Sequence, residues 1–500
     1  MQDMNDQVEA RLSKLTKLNE MGVPAYPHKF NRTHTSEMLR AKKDELMKSQ
    51  ESVSFAGRVV RFNRKGKLCF MHLKDRYGRL QIVCAKDLVG EADYEVVKMI
   101  DLGDFVGVEG PMMETQTGEY SVKASKVVML SKAVRPLPVP KEMVDENGNK
   151  KIFNEFKDVD TRYRERYIDM ALNDDVRDVF LKRSRILQAI REYLIERKFI
   201  EVETPTLQPI YGGANAKPFT THHNAADMTL YLRVAPELYL KRCIVGGMER
   251  VFEFSKNFRN EGMDRTHSPE FTGLEFYEAY ADYNDMMVHF ENIYERAAIA
   301  ANGTTKVNYQ GTEIDFKVPW PRMSMYEAIQ KYGNIDVEKL SDDELKAEIE
   351  KQHGEKLEGE WSRGRGVIEL FELTVEKKLI QPTIIKDMPK ESTPLCKRHR
   401  SNPDLIEQFE PYANGWELGN AYTELNDPIR QRELLEDQVR RGRGGEGETH
   451  PMDDNFIHAI ESGLPPTGGV GFGIDRMIML LTNQPTIRDV ILFPLMKPEA

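Results

Sequence analysis

Cysteine is scarce: Cys69, Cys84, Cys243 and Cys396 are the only four in 500 residues, and none forms a CxxC pair. That spacing supports neither a disulfide framework nor a zinc site, so a reducing compartment and no zinc are expected. No apolar run approaches the roughly 18 residues that a membrane span requires. The first residues, MQDMNDQVEARLSKL, also lack the apolar stretch of a signal peptide or the character of an organelle presequence. A cytoplasmic chain outside the membrane is therefore expected. Excess positive charge is missing too, since the net charge is -10. This excludes a protein that coats nucleic acid indiscriminately, because phosphate binding rests on Lys and Arg, but local basic patches suffice for RNA.

What is present is length and order. Five hundred residues exceed one ordinary core and predict two or three domains. Apolar residues at 40% and charged residues at 30% describe sizeable cores beneath a well-solvated surface.

Residues 5–21 place Val8, Leu12, Leu15 and Leu18 on one helical face before Gly22 and Pro24, so 1–50 reads as a helical segment packed on the body. Residues 51–133 hold five alternating runs, VSFAGRVVRF, KLCFMHLKD, GRLQIVCA, DFVGVEGPM and EYSVKASKVVML, with a helix-like stretch, 91–100, after the third. That is the pattern of an OB-fold barrel, which commonly binds single-stranded nucleic acid on one face. Phe70 and Gln81 fall on consecutive strands, with Arg58, Arg61, Arg64, Lys65 and Lys67 just before Phe70. An aromatic platform amid cations suits unpaired bases, although a lone Phe in a small barrel is more often core. The string RPLPVPKEMVDENGNKK reads as an extended linker and sets a boundary over 134–158.

The catalytic chemistry is expected in 159–500. Residues 175–198 form a long amphipathic helix, and the strand IEVETPTL follows it. The string YGGANAKPF brings permissive backbone near a ligand, and in RVAPELYLKR Pro236 suits a helix start with Glu237 in the first turn. In the hairpin 247–283 two strands flank a polar loop: Phe252 and Phe254 face the core and the odd-numbered face of that strand, continued, carries Arg259 and Glu261, while after the loop Phe271, Gly273, Glu275 and Tyr277 share one face. Residues 322–395 read as a small inserted subdomain with an acidic helix. Further on, Asn420, Tyr422 and Glu424 alternate onto one face, a row that fits a cationic ligand, and Glu410 and Glu417 offer hard oxygen donors. Glu417 has the opposite parity to Asn420, so a bulge near Gly415 or Gly419 is required if they are to share a face. The final string TGGVGFGIDRMIMLLT is a poor dinucleotide fingerprint, because Arg476 stands at the last glycine position.

Taken together, GGANAKPF, then FRNEG, HSPEF and EFY in one hairpin, NAYTELNDP, GIDR and the DVILFPLMKP ending resemble the class II aminoacyl-tRNA synthetases, specifically those of the lysyl type. The resemblance implies an α+β multidomain fold, with an N-terminal OB-fold anticodon-binding barrel and a catalytic domain built on an antiparallel sheet flanked by helices. It implies that Arg259 grips the α-phosphate of ATP, Arg476 the γ-phosphate, and that Phe271 stacks on adenine. Glu261, His267 and Ser268 would help hold the nucleotide, and Glu410 and Glu417 would carry Mg²⁺. Lysine would be held by Gly213, Ala214, Glu237, Glu275, Tyr277, Asn420, Tyr422 and Glu424, with Glu424 and Tyr277 on the ε-ammonium. Phe70 and Gln81 would read the central anticodon base, with Glu119 on another; either Arg61 or Arg64 supplies the family's arginine, because Phe62 stands at the ungapped position. Partners implied are tRNA(Lys), L-lysine, ATP and a second copy through the long helix. Ser268 replaces a common Asn, and Gly273 with Asn257 leaves room around adenine. A lysine ligase acting on a protein and a non-catalytic RNA-binding or signalling protein are the alternatives; the barrel argues against the first and the full set of ATP residues against the second.

Overall fold

The computed structural model describes residues 2–139, 141–144, 150–153, 156–354, 361–443 and 451–499. The chain divides into two compact units, Met1–Arg162 and Tyr163–Ala500.

The first unit carries a seven-stranded sheet curled into a barrel, in which the long strand Val53–Lys65 pairs antiparallel with both Leu68–Asp75 and Phe105–Gly110. Alternation decides the two faces. Cys69, Met71 and Leu73 point into a core with Phe55, Ile82 and Val106, while Phe70 and His72 point out. The fifth expected run divides into Tyr120–Lys123 and Lys126–Ser131, and the first of these pairs parallel to Gly78–Ala85. The helix after the third strand is longer than expected, Lys86–Met99, with a kink at Gly90, whose φ of 82° suits glycine. The N-terminal helix Gln2–Glu20 buries Leu18, but Leu12 turns to solvent, so its apolar face is narrower than the spacing implied. In the expected linker, Lys141–Val144 and Lys150–Phe153 run extended and pair with each other as a short antiparallel ribbon; its residues 140, 145–149, 154 and 155 lie outside the described residues.

The second unit is organised on a nine-stranded sheet. Its centre is antiparallel, Arg250–Phe258, Glu270–Ala279, Thr467–Gly473, Gly419–Thr423 and Leu405–Ala413 lying side by side. The two edges, Ile200–Glu201 and Arg322–Ser324, are parallel to their neighbours, so the sheet is mixed. Those edges arrive by crossovers and not by tight turns, which is what parallel pairing demands. One face is buried under the helices Asp174–Glu196, Tyr283–Asn302 and Ile474–Leu481, with Phe290 stacked on Phe472 at 4.1 Å between centroids. The expected strand IEVETPTL is broken: only Ile200–Glu201 joins this sheet, and Leu207–Gln208 pairs instead with Met228–Leu232. Pro205 lies between them and cannot donate to a ladder. The subdomain expected over 322–395 begins and ends in strands of the main sheet, Arg322–Ser324 and Thr383–Pro389, so the inserted part lies between them. Its acidic helix Asp342–His353 is opened by a capping box of Ser341 and Glu344 and buries Leu345 and Ile349; residues 355–360 lie outside the described residues.

Candidate active site

The open face of the sheet carries a cavity of about 430 Å³. The hairpin register builds its floor, setting Asn257 opposite Phe271, Ser255 opposite Gly273 and Glu253 opposite Glu275. Phe252, Leu274 and Phe276 enter the core, so Phe271, Gly273, Glu275 and Tyr277 turn to the cavity.

Every residue that the sequence assigned to nucleotide or metal lines this cavity: Arg259, Glu261, His267, Ser268, Phe271, Glu410, Glu417 and Arg476. So do all those assigned to the amino acid: Gly213, Ala214, Glu237, Glu275, Tyr277, Asn420, Tyr422 and Glu424.

One end is cationic. The Arg259 guanidinium lies 5.1 Å from the Phe271 ring centroid, and its buried Nε has no hydrogen-bond partner. Burial lowers its proton affinity against the opposing pull of Glu261 and Glu417. A half-buried cation with an unmet donor is a receptor for an anion. Arg476 opens the helix Ile474–Leu481 and donates to the Glu417 carbonyl at 3.2 Å. Its Nη2 lies 2.9 Å from His267 Nε2. Behind it, Asp475 accepts from the Thr272 N–H at 2.7 Å and from Arg183 at 2.6 Å, and Arg183 also donates to Thr272 Oγ1 at 3.0 Å. The long helix thus braces both the hairpin strand and the helix bearing Arg476.

The parity conflict at Glu417 is resolved by a bulge. Tyr412 pairs with Glu417, whereas Gln408 pairs with Tyr422, so the register slips by one residue at Leu418–Gly419. Leu418 is buried in the core, and Glu417 comes to the same face as Glu410 and Asn420. Burial, then the Glu417 charge, pushes the Glu410 carboxyl up to about 8, although Tyr412 donates to it at 2.6 Å. Two carboxylates forced together with no cation between them fit a hard divalent ion. Among the described residues no group of three or more His, Cys, Asp or Glu is arranged as a metal cluster, so these two oxygen donors alone would leave positions for phosphate or water.

The other end is anionic. Pro236 caps the helix Glu237–Val245 and Glu237 is its first residue, buried to 4% exposure. Glu424 is fully buried, and Tyr277 donates to Glu275 at 3.0 Å. Burial and the charge of Glu237 raise the Glu275 carboxyl to about 8. Gly213 packs so closely that a Cβ would stand 2.9 Å from Glu237 Cβ, at a φ of +88°.

Some residues escaped the sequence reading. Lys241 Nζ lies 2.6 Å from Glu237 and also contacts Glu424, so the pocket is not the uncompensated negative hole that its carboxylates alone suggest. The i,i+4 spacing of Glu237 and Lys241 was its one signal. Gln408 ties Glu410 to Asn420 at 3.2 and 3.1 Å, and Gly469 is the space into which Glu424 and Tyr277 project.

On the barrel, Arg61, His72, Gln81 and Ser121 stand opposite one another on four adjacent strands. Gln81 donates to Glu119 at 2.7 Å and accepts from Ser121 at 2.8 Å, and His72 lies 2.9 Å from Glu119. Phe70, two residues from His72, shares that face half-buried. Phe62 pairs with Met71 and packs on the core, and Arg64 pairs with the buried Cys69, so the register puts Arg61, not Arg64, in the row. His72 was missed because alternation within one strand does not reveal its cross-strand neighbours.

Residues 158–497 match the family of class II tRNA synthetases (D, K and N), and residues 53–130 match the OB-fold nucleic acid binding domain. The chain is 47% identical to the lysine–tRNA ligase of Clostridium novyi (strain NT), covering 99% of this chain and 95% of that one. It is 47% identical to that of Moorella thermoacetica, covering 99% and 98%, and 46% identical to that of Methanoculleus marisnigri, covering 98% and 94%. With near-complete coverage at such identity, and with one cavity cationic at one end and carboxylate-lined at the other, the chain belongs to the lysine–tRNA ligase family of class II aminoacyl-tRNA synthetases.

Proposed function

We propose that the chain activates L-lysine with ATP and transfers it to the 3′ end of tRNA(Lys). The supporting observation is the polarity of this cavity: Arg259 and Arg476 face one half, and Glu237, Glu275 and Glu424 the other. Lysine is the amino acid that presents an ammonium at each end, and ATP supplies the anion. In this reading Glu237 and Glu275 receive the α-ammonium and Glu424 with Tyr277 the ε-ammonium, leaving the carboxylate directed at the α-phosphate.

Attack of that carboxylate on the α-phosphate forms lysyl-adenylate and releases pyrophosphate; the terminal adenosine hydroxyl of tRNA then takes the lysyl group and AMP leaves. No side chain forms a bond to substrate. Arg259 and Arg476 stabilise charge on the phosphates and Phe271 orients the base, so the rate comes from placement and electrostatics. Glu410 and Glu417 would hold Mg²⁺, whose contribution is charge neutralisation on the ATP phosphates.

Residues 51–133 are assigned as the anticodon-binding domain and 159–500 as the catalytic domain, with Phe70, Gln81, Arg61 and Glu119 on the anticodon. A homodimer through the helix Asp174–Glu196 accounts for the exposed Ile195 on its last turn and the exposed Ile200 on the short strand after it. No described helix is long and apolar enough to cross a membrane, and the proposed site of action is the cytoplasm.

The test is ATP–pyrophosphate exchange with each of the twenty amino acids. Exchange with lysine alone, abolished in Glu424→Gln, is the expected result. Exchange with aspartate or asparagine, or with none, overturns the reading.

A further inference from the structure

Behind the wall of the amino-acid pocket lies a cation that does not line the cavity. Lys241 is fully buried; its Nζ lies 2.6 Å from Glu237 Oε1 and touches Glu424 Oε2, and the Phe456 ring centroid is 5.9 Å away. Glu237 and Glu424 come from different elements, a helix and the segment after the strand Gly419–Thr423. Lys241 is thus the tie between them. Neither Glu424 oxygen makes a hydrogen bond within the protein: Oε2 meets Lys241 as an ion pair, and Oε1 faces Gly469, where a Cβ would stand 2.1 Å from it.

Resting on the reading of Glu237 and Glu424 as amino-acid contacts, we propose that Lys241 is a specificity-determining positioning residue. Its ammonium pins one oxygen of each carboxylate, so each presents its other oxygen to one end of a diamino acid at a fixed separation. Two consequences follow from charge. First, its charge opposes the burial that favours the protonated carboxyl, so Glu424 ionises more readily with Lys241 beside it than it would without a counter-ion. Second, the pocket holds fewer uncompensated negative charges than it has carboxylates, so one substrate suffices to neutralise it. The other groups facing this pair are Glu275 and Tyr277 on the hairpin, Tyr422 on the neighbouring strand and the Cys396 thiol. None of these is a cation, so Lys241 alone among them opposes the burial that pushes Glu424 up.

The experiment is lysine-dependent ATP–pyrophosphate exchange over pH 6–9 in Lys241→Met, Lys241→Arg, Glu424→Gln and the double variant Lys241→Met/Glu424→Gln. In Lys241→Met the KM for lysine is expected to rise about 30-fold at pH 7, while kcat at saturating lysine and the KM for ATP change less than about threefold. The acid limb of kcat/KM for lysine moves to higher pH by about one unit, and Lys241→Arg moves it back. In the Glu424→Gln background, Lys241→Met adds less than about threefold, because the two act through one interaction. If Lys241→Met does not fold, Lys241→Gln, which keeps a donor to the carboxylates, is expected to show the same pH displacement. An unchanged lysine KM and acid limb, a loss of kcat and ATP affinity together, or losses that multiply in the double variant would overturn the proposal. Should Glu424→Gln itself leave the lysine KM unchanged, the pocket reading fails, and this proposal falls with it for a separately identifiable reason.

Discussion

Arg476 and His267 meet across the cationic end of the cavity, Nη2 to Nε2 at 2.9 Å, and the contact orients both. A guanidinium only donates, so His267 Nε2 accepts and the ring hydrogen sits on Nδ1, which donates to Asp264 at 2.7 Å. Burial works against the Asp264 charge, but the Thr266 N–H and the His267 ring outweigh it and hold the carboxyl down at about 2. The chain Asp264, His267, Arg476 is therefore a relay that aims a cation.

His267→Ala removes that aim. Its ring is half-exposed, so the loss is expected at the low end for a charge-assisted bond, about 1.5 kcal/mol, or about tenfold in the KM for ATP. The KM for lysine should not move. Equal changes in both would show that the loop only supports the fold.

Gly469→Ala is expected to weaken lysine binding strongly while sparing ATP. A Cβ there would stand 2.1 Å from Glu424 Oε1 and 2.5 Å from Tyr277 Cε1, so both pocket groups must move. Calorimetric titration should show lysine affinity falling about a hundredfold, the scale of one broken charge-assisted contact in a dry site, with nucleotide affinity retained.

Much of this geometry was legible in the sequence because it depends on period two. The face shared by Phe271, Gly273, Glu275 and Tyr277 follows from alternation, as does that of Asn420, Tyr422 and Glu424. Glu417 marks the limit: its parity was wrong for a regular strand, and the inserted Leu418 repaired it at a place that only the register could fix. Lys241 marks another. A lysine on an apolar helix face looks solvated until the helix is packed, and only then do Glu237 and Glu424 close on it. The direction of the edge strands was not legible at all, since whether a strand pairs parallel is decided by the connection and not by its own residues.

Lysine binding should release a proton. Glu275 sits near pH 8 in the free protein through burial and the Glu237 charge, and an incoming ammonium requires it ionised. Affinity is then expected to rise by up to about tenfold per pH unit below 8 and to level off above it. The linkage to stability has the opposite sign: between its ordinary value and 8 the folded state holds the proton and the unfolded state does not, so this group's contribution falls as pH rises. Titration in two buffers of different ionisation enthalpy counts the proton, and a count of zero at pH 7 would refute the assignment.

Gly273→Thr should narrow the adenine site. Its new Cβ would stand 2.9 Å from Asn257 Nδ2, and Asn257 is only 4% exposed, so the side chain has little freedom to withdraw. Inhibitors that bind in the ATP site are expected to lose affinity more than ATP does. Equal inhibitor affinity in the variant and the parent would argue against any special room at this position.

Substitutions in the barrel row are expected to separate charging from activation. Gln81 is held between Ser121 and Glu119, so its amide is oriented before any base arrives, and His72 holds the second oxygen of Glu119. Preorganised groups cost less to immobilise on binding. Phe70→Ala removes the stacking surface, worth about 1–3 kcal/mol per base, and Gln81→Ala the oriented amide. Both should raise the KM for tRNA in aminoacylation by about tenfold or more, while lysine-dependent pyrophosphate exchange stays at the parental rate. Arg61→Ala is expected to behave likewise and Arg64→Ala not, because the register sets Arg61 opposite His72 and Arg64 opposite the buried Cys69. If Arg64→Ala proved the more damaging, the RNA would be meeting the end of the strand and not its face.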